Sequence, residues 1–106
     1  MSESTIHEGD LIVEAGQTVT TDATEVTGSI WVWDGATLMA LVLEQARDVS
    51  VWVGGTLTAP VLAEAQDVTV WGTLDAPVLA QARDVTVWGG GTLNATAAVL
   101  AKMRKA

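Results

Sequence analysis

The feature that most constrains this chain is an internal repeat of 19 residues. The phrase Asp-Val-Ser/Thr-Val-Trp begins at Asp48, Asp67 and Asp84, and a Thr-Leu pair follows at Thr56, Thr73 and Thr92. Diverged copies begin at Ser29, leading to Thr37-Leu38, and at Asp10, leading to Thr18-Val19. The five starts are spaced 19, 19, 19 and 17 residues, and each unit with a successor keeps 11 residues from its Thr to the next start. The shortening falls in a glycine turn, where Trp52-Val53-Gly54-Gly55 becomes Trp71-Gly72. A deletion confined to a turn leaves the rest of the unit in register. A unit this short cannot bury its own apolar face, whereas copies stacked in parallel share a continuous interior.

Within one unit, Val49-Ser50-Val51-Trp52 alternates and is β-branched, the pattern of a half-buried strand. Glycines turn the chain, Thr56-Leu57-Thr58-Ala59 alternates again, and after Pro60 a third segment runs Val61-Leu62-Ala63-Glu64-Ala65. The expected fold is therefore all-β: a single-domain parallel β-helix of about five coils, with three short strands per coil. Its expected divisions are a polar N-terminal cap over 1–9, repeats over 10–96 and a short helical cap over 97–106. At strand spacing, five coils make a rod about 24 Å long. The third segments also suit a helix, since Val61–Gln66 and Val78–Arg83 each follow a Pro and contain good helix formers. A strand and short helix at this period would resemble a leucine-rich repeat. Against that, the runs are short for helices, and the Asn or Cys ladder of such repeats is missing.

Stacked coils turn equivalent residues into columns. Leu11, Ile30, Val49, Val68 and Val85 form one aliphatic column, and Val13, Val32, Val51, Val70 and Val87 another. Val19, Leu38, Leu57, Leu74 and Leu93 form a third. Leu43, Leu62 and Leu79 extend the interior onto the third side, and Ala40, Ala59, Ala76 and Ala95 suit a narrow corner. A thin prism of this kind has no room for rings, which accounts for the absence of Phe and Tyr.

The five Trp go elsewhere. Glu14, Trp33, Trp52, Trp71 and Trp88 are equivalent, each just after the second inward Val, so alternation points them outward. Ile12, Trp31, Ser50, Thr69 and Thr86 run beside them, also outward. One face is thus expected to carry four stacked indoles, a fifth at Trp31 and a row of hydroxyls. Such a ladder suits a structural corner. It also suits a homodimer or protein-partner interface, because contiguous exposed apolar patches mark interfaces and Trp is favoured at hot spots. Asp48, Asp67 and Asp84, with Asp10 and Ser29, form an acidic corner column. Each carboxylate is expected to accept a local backbone N–H and start its turn; calcium binding and a glycosidase carboxylate pair are the functional alternatives. Arg47 and Arg83 precede two of these Asp and are placed to screen them.

The formal net charge is -8, with seven acids and no Lys or Arg in residues 1–34 and three bases in the last five residues. Polar caps over the solenoid ends explain that asymmetry; head-to-tail association of acidic and basic ends is the alternative. An acidic chain is a poor direct ligand for nucleic acid. The absence of Cys excludes disulfides and thiolate sites. No apolar run approaches the ~20 residues of a membrane span, and no secretory signal is visible, so a cytoplasmic location is expected. His7 is the only His, and no nucleophile-elbow, Walker A or Rossmann pattern occurs. No catalytic residue, cofactor or metal is therefore expected.

In its short, loopless coils, the stretch Asp10–Ala95 resembles the bactofilin-type polymer-forming domains. The resemblance is one of architecture, covers about 85 residues and implies end-to-end assembly; the Trp ladder and charged tail depart from that pattern. The coils are also similar in outline to left-handed hexapeptide acyltransferases, although units of 19 and 17 break a six-residue rule. Small acidic solenoids that imitate DNA, including phage-borne inhibitors of host defence systems, look like this chain as well. The expected function is a non-enzymatic protein-binding solenoid acting through the Trp ladder and acidic surface, with an inhibitor or DNA mimic that blocks a basic nucleic-acid-binding partner as its specific form. The alternatives are a self-assembling, bactofilin-like structural protein and, more weakly, a carbohydrate or ice binder.

Overall fold

A computed structural model describes residues 6–105. Residues 1–5 and 106, which fall in the two expected caps, lie outside the described residues, as do the side chains of Lys102 and Lys105. The strands are β1 (Ile6–His7), β2 (Leu11–Val13), β3 (Thr18–Thr20), β4 (Glu25–Val26), β5 (Ile30–Val32), β6 (Thr37–Met39), β7 (Asp48–Val51), β8 (Thr56–Thr58), β9 (Asp67–Val70), β10 (Thr73–Asp75), β11 (Asp84–Val87) and β12 (Thr92–Asn94). One helix, α1 (Ala97–Lys102), and a last strand, β13 (Arg104–Lys105), complete the order. All pairings are parallel and join each coil to the next, giving a β-solenoid of about five turns.

Two sides of the prism are sheets. The first stacks β13-β11-β9-β7-β5-β2 and the second β12-β10-β8-β6-β3. The aliphatic columns are in register as expected: Leu11 pairs with Ile30, Ile30 with Val49, Val49 with Val68 and Val68 with Val85. On the second sheet, Val19, Leu38, Leu57, Leu74 and Leu93 line up likewise. Leu38, Leu57, Leu74, Leu43, Leu62 and Leu79 are all completely buried, while the end residues Val19 and Leu93 are only partly so. In this leucine column, burial therefore follows from having a neighbouring coil on both sides.

The third side is thinner than expected. Beyond the two-residue pair β1–β4, it is a line of single bridges joining Glu25, Gln45, Glu64 and Gln81. The backbone still bonds coil to coil there, with Ala46 N donating to Glu64 O at 3.0 Å and Ala65 N to Gln81 O at 2.9 Å. The turn at Pro60-Val61 and the bend at Gln66 take up the ends of this segment and leave only Leu62, Ala63, Glu64 and Ala65 to cross the side. The inward residues Ala46, Ala65 and Ala82 are small and buried, so the prism tapers toward this side.

Both ends differ in detail from the expected caps. Ile6–His7 already forms a row of the third side above β4. The C-terminal helix stops at Lys102; Met103 is extended, and the chain returns to the first sheet as β13. Val99 is the buried anchor of that helix, with Leu100 exposed on its other face.

The glycine corner sets the coil geometry. In four of the coils a turn closes with an N–H donated back to the ladder residue, from Gln17 to Glu14, Ala36 to Trp33, Gly55 to Trp52 and Gly91 to Trp88. In the shortened coil this turn is absent. Gly72 N donates instead to Val51 O at 3.1 Å, and a Cβ on Gly72 would overlap the carbonyl oxygens of Gly55 and Trp52. Close approach, rather than an unusual φ, requires glycine there.

Two stability outcomes follow from this packing. Leu57→Ala, in the middle of the stack, is expected to cost roughly 2–5 kcal/mol, and Leu93→Ala at the open end clearly less, measured by urea unfolding. Gly72→Ala is expected to cost about 1–3 kcal/mol by overpacking. Gly90→Ala, which meets nothing within 4 Å, should stay within about 0.5 kcal/mol of the parent.

Candidate functional site

The repeated phrase Asp-Val-Ser/Thr-Val-Trp places its valines inward and its other three side chains outward. Val49, Val51, Val68, Val70, Val85 and Val87 are buried, and between them Ser50, Thr69 and Thr86 are half-buried on the outer face. Asp48, Asp67 and Asp84 start the three strands in mutual register and are exposed. Trp52, Trp71 and Trp88 end them at the glycine corner. The first sheet thus presents three parallel ranks: carboxylates at one edge, hydroxyls in the middle and indoles at the other edge.

The indoles stack as expected from the columns. Ring centroids of Trp33 and Trp52 are 5.4 Å apart with planes 2° from parallel, and those of Trp52 and Trp71 are 4.6 Å apart at 12°. Trp71 and Trp88 are 6.0 Å apart at 16°. Trp31, two residues before Trp33 on the same strand, joins the side of the ladder at 6.2 Å and 19°. The coil spacing of about 4.8 Å brings successive rings within stacking distance, so the ladder follows from register. Each such aromatic pair adds roughly 0.5–1.5 kcal/mol beyond its area. Trp33 and Trp88 remain 40% and 42% exposed, while Trp31, Trp52 and Trp71 are half-buried. The ladder is both a structural corner and an outward-facing surface.

One polar atom in the ladder is compromised. Trp52 Nε1 is buried without a hydrogen-bond partner. Indole N–H is a donor only, and an unpaired buried donor costs about 1–3 kcal/mol. The ring stays because its neighbours hold it on both faces.

The carboxylate rank differs from its expected role. Among the described residues only Asp10 of this rank accepts a backbone N–H, and that N–H belongs to Ser29 in the next coil, at 2.8 Å. Asp84 accepts from Arg104 Nη2 at 3.4 Å in a solvent-exposed pair, a geometry that contributes little. Asp48 and Asp67 have no partner among the described residues, and neither Arg47 nor Arg83 forms an ion pair with them. Near two of them, the N–H groups of Gln66, Arg83 and Asp84 already donate to carbonyls of the preceding coil, at 2.9, 2.8 and 3.0 Å. His7 is half-buried in β1, with Nε2 3.0 Å from Asp10 O. Among the described residues no group of three His, Cys, Asp or Glu is placed to hold a metal ion, and no helix is long and apolar enough to cross a membrane.

Three surface features were not singled out from sequence. The two-residue deletion leaves a notch of about 310 Å3 between coils, lined by Val53, Gly54, Trp71, Gly72, Trp88 and the Gly89-Gly90 turn. The second sheet carries an unbroken outward rank of Thr18, Thr37, Thr56, Thr73 and Thr92, separate from the indoles. At the corner after that sheet, Leu41, Val42, Val61 and Val78 stand exposed beside Pro60 and Pro77. The signal for the last was present, since a residue preceding an inward Leu in an extended segment faces out.

Compared with family models, curated protein sequences and solved structures, the chain matches none.

The orphaned N–H and the stacking together set an order of tolerance. Trp52→Phe relieves an unpaired donor while keeping a ring in the stack, whereas Trp71→Phe only loses area. Trp52→Phe is therefore expected to destabilise less than Trp71→Phe in urea unfolding. Both should shift the far-ultraviolet circular dichroism that coupled indoles produce.

Proposed function

We propose that the chain is a non-enzymatic protein-binding solenoid whose partner docks across the indole ladder and the carboxylate rank of the first sheet. We further propose that this partner is a basic protein whose nucleic-acid site the solenoid blocks. One observation carries this proposal: an outward ladder of indoles runs parallel to carboxylates of which Asp48 and Asp67 have no cationic partner among the described residues. Indoles anchor interfaces, and unpaired charges beside them select a partner of opposite sign and speed its encounter.

A second copy fits the face less well. Six strands at about 4.8 Å and four residues at about 3.3 Å give roughly 400 Å2 per copy. Two such faces bury about 800 Å2, short of the ~1,200 Å2 that stable interfaces begin at, so the proposed foreign partner must reach past this sheet, which a twofold copy confined to the face does not. A twofold axis along the strands would also set carboxylates on carboxylates. End-to-end assembly of the bactofilin kind draws support from the outer edges of β3 and β12, which end the second sheet. It is the weaker proposal, because one of the two edge strands of the first sheet is Arg104–Lys105, and charged residues blunt an edge.

The test is titration of the full chain with a nona-arginine peptide followed by Trp fluorescence, alongside sedimentation velocity of the chain alone. Binding is expected to weaken steeply with salt. It should fall about tenfold or more, the scale of hot-spot loss, in the triple variant D48N/D67N/D84N and in W52A/W71A. Undiminished binding in both variants overturns the proposal. So does a concentration-dependent dimer or filament that W52A/W71A abolishes and that excludes the peptide.

A further inference from the structure

We infer that the first sheet imitates a stacked single strand of nucleic acid, and that the partner is a protein whose groove binds single strands. This rests on the protein-binding proposal above and narrows its partner. Three successive coils carry the same outward triplet across one strand: Asp48, Ser50, Trp52; then Asp67, Thr69, Trp71; then Asp84, Thr86, Trp88. The order is anion, hydroxyl, flat ring, which is the order of phosphate, sugar and base across a nucleotide. Along the rod, the rings stack face to face at 4.6 Å and 6.0 Å, as successive bases do, and the anions advance in step with them. Coil 2 continues the ring rank at Trp33 and has Ser29 in the anion position.

Magnitudes separate a single strand from a duplex. One carboxylate per coil is one charge per about 4.8 Å. Duplex DNA carries one per about 1.7 Å of axis, and each of its strands one per about 3.4 Å. A single rank at coil spacing falls well short of a duplex and near one strand drawn out slightly. Duplex readers also work mainly on phosphates and groove edges, where a rank of exposed rings has no counterpart. Single-strand grooves pair a cationic track with aromatic platforms on which successive bases stack, and they tolerate any flat ring because every base has a π-face. Both of their requirements are met here on one face.

The deletion adds access. On one side of the shortened coil Trp71 and Trp88 are 6.0 Å apart, against 4.6 Å for Trp52 and Trp71 on the other, and the notch of about 310 Å3 opens onto Trp71 and Trp88. Had coil 4 kept the two residues present in its neighbours, they would fill that space. A platform side chain of the partner can therefore reach the ladder at this coil, and the exposed Trp88 lies next to it.

The experiment is competition with the full chain against labelled oligothymidylate held by single-strand-binding proteins of OB-fold, cold-shock and RRM type. A labelled operator duplex held by a helix-turn-helix repressor is titrated in parallel. The oligothymidylate is expected to be released from at least one of the three while the duplex stays bound. D48N/D67N/D84N and W52A/W71A should each weaken release about tenfold. Trp71→Phe, which keeps a ring in the rank, should weaken it far less and controls for folding. Re-inserting Val-Gly between Trp71 and Gly72, which fills the notch, should weaken release without lowering stability. Equal release of the duplex overturns the inference, since any polyanion would then suffice. Failure to release oligothymidylate from all three, with nona-arginine still bound at the face, overturns the inference and leaves the protein-binding proposal standing. Loss of nona-arginine binding as well removes both.

Discussion

Parallel stacking of identical inward residues at one fixed spacing is the constraint on which the rest of this molecule depends. A coil alone has no interior. Leu57 is completely buried because Leu38 and Leu74 lie in register on either side of it, and Leu93, with a neighbour on one side only, is not. Stability is then a sum over interfaces between neighbouring coils, and any residue that breaks register is penalised at two interfaces. This explains why the single length change in the repeat falls in a corner, at Gly72, where the strands on both sides keep their pairings.

The same spacing that builds the core builds the surface. An outward residue repeated once per coil must become a rank, whatever its chemistry. For Trp the result is favourable, because rings about 4.8 Å apart can stack. For Asp it is unfavourable, because like charges stand beside one another with nothing described between Asp48 and Asp67 to offset them. A register forced by the core accounts for the alignment of these carboxylates but not for their being carboxylates. Asn or Ser would sit at the same corner without the repulsion, as Ser29 does.

The fold was legible because its information is periodic. Columns such as Val13, Val32, Val51, Val70 and Val87 can be written down by alignment alone, and the register follows them one for one. What was not legible was set by local departures from the period. The third side reduces to single bridges because a turn such as Pro60-Val61 and a bend such as Gln66 take up the ends of each segment, and small Ala at 46, 65 and 82 narrows the interior there. In the first coil, Glu25 pairs with Gln45, whereas equal spacing from the unit starts would give Gln45 a partner one residue later. The chain there reaches the third side one residue sooner and regains its register before Ser29. No residue pattern marks that compensation. The helix likewise ends at Lys102 rather than continuing through the cationic tail, because Met103 turns inward beside Leu93 and Val87 and the backbone finds a partner in β11.

The indoles of the site were legible for the same reason as the core, and the partners of the acids were not. Alternation is enough to place Trp33, Trp52, Trp71 and Trp88 outward and in line. The environment of an exposed carboxylate is not periodic. It depends on which backbone donors are already used, and in a parallel solenoid the coil above and the coil below use nearly all of them. Asp10 finds Ser29 N at the end of the stack, and Asp84 finds Arg104 at the other, so only the two central members of the rank are left bare. The unpaired carboxylates of this rank therefore lie mid-rod, on the two coils that also hold the tightest stacked pair of rings, Trp52 and Trp71. A cationic partner on this face would meet Asp48 and Asp67 without displacing a cation of the described residues, so the proposed contact breaks no ion pair of the solenoid.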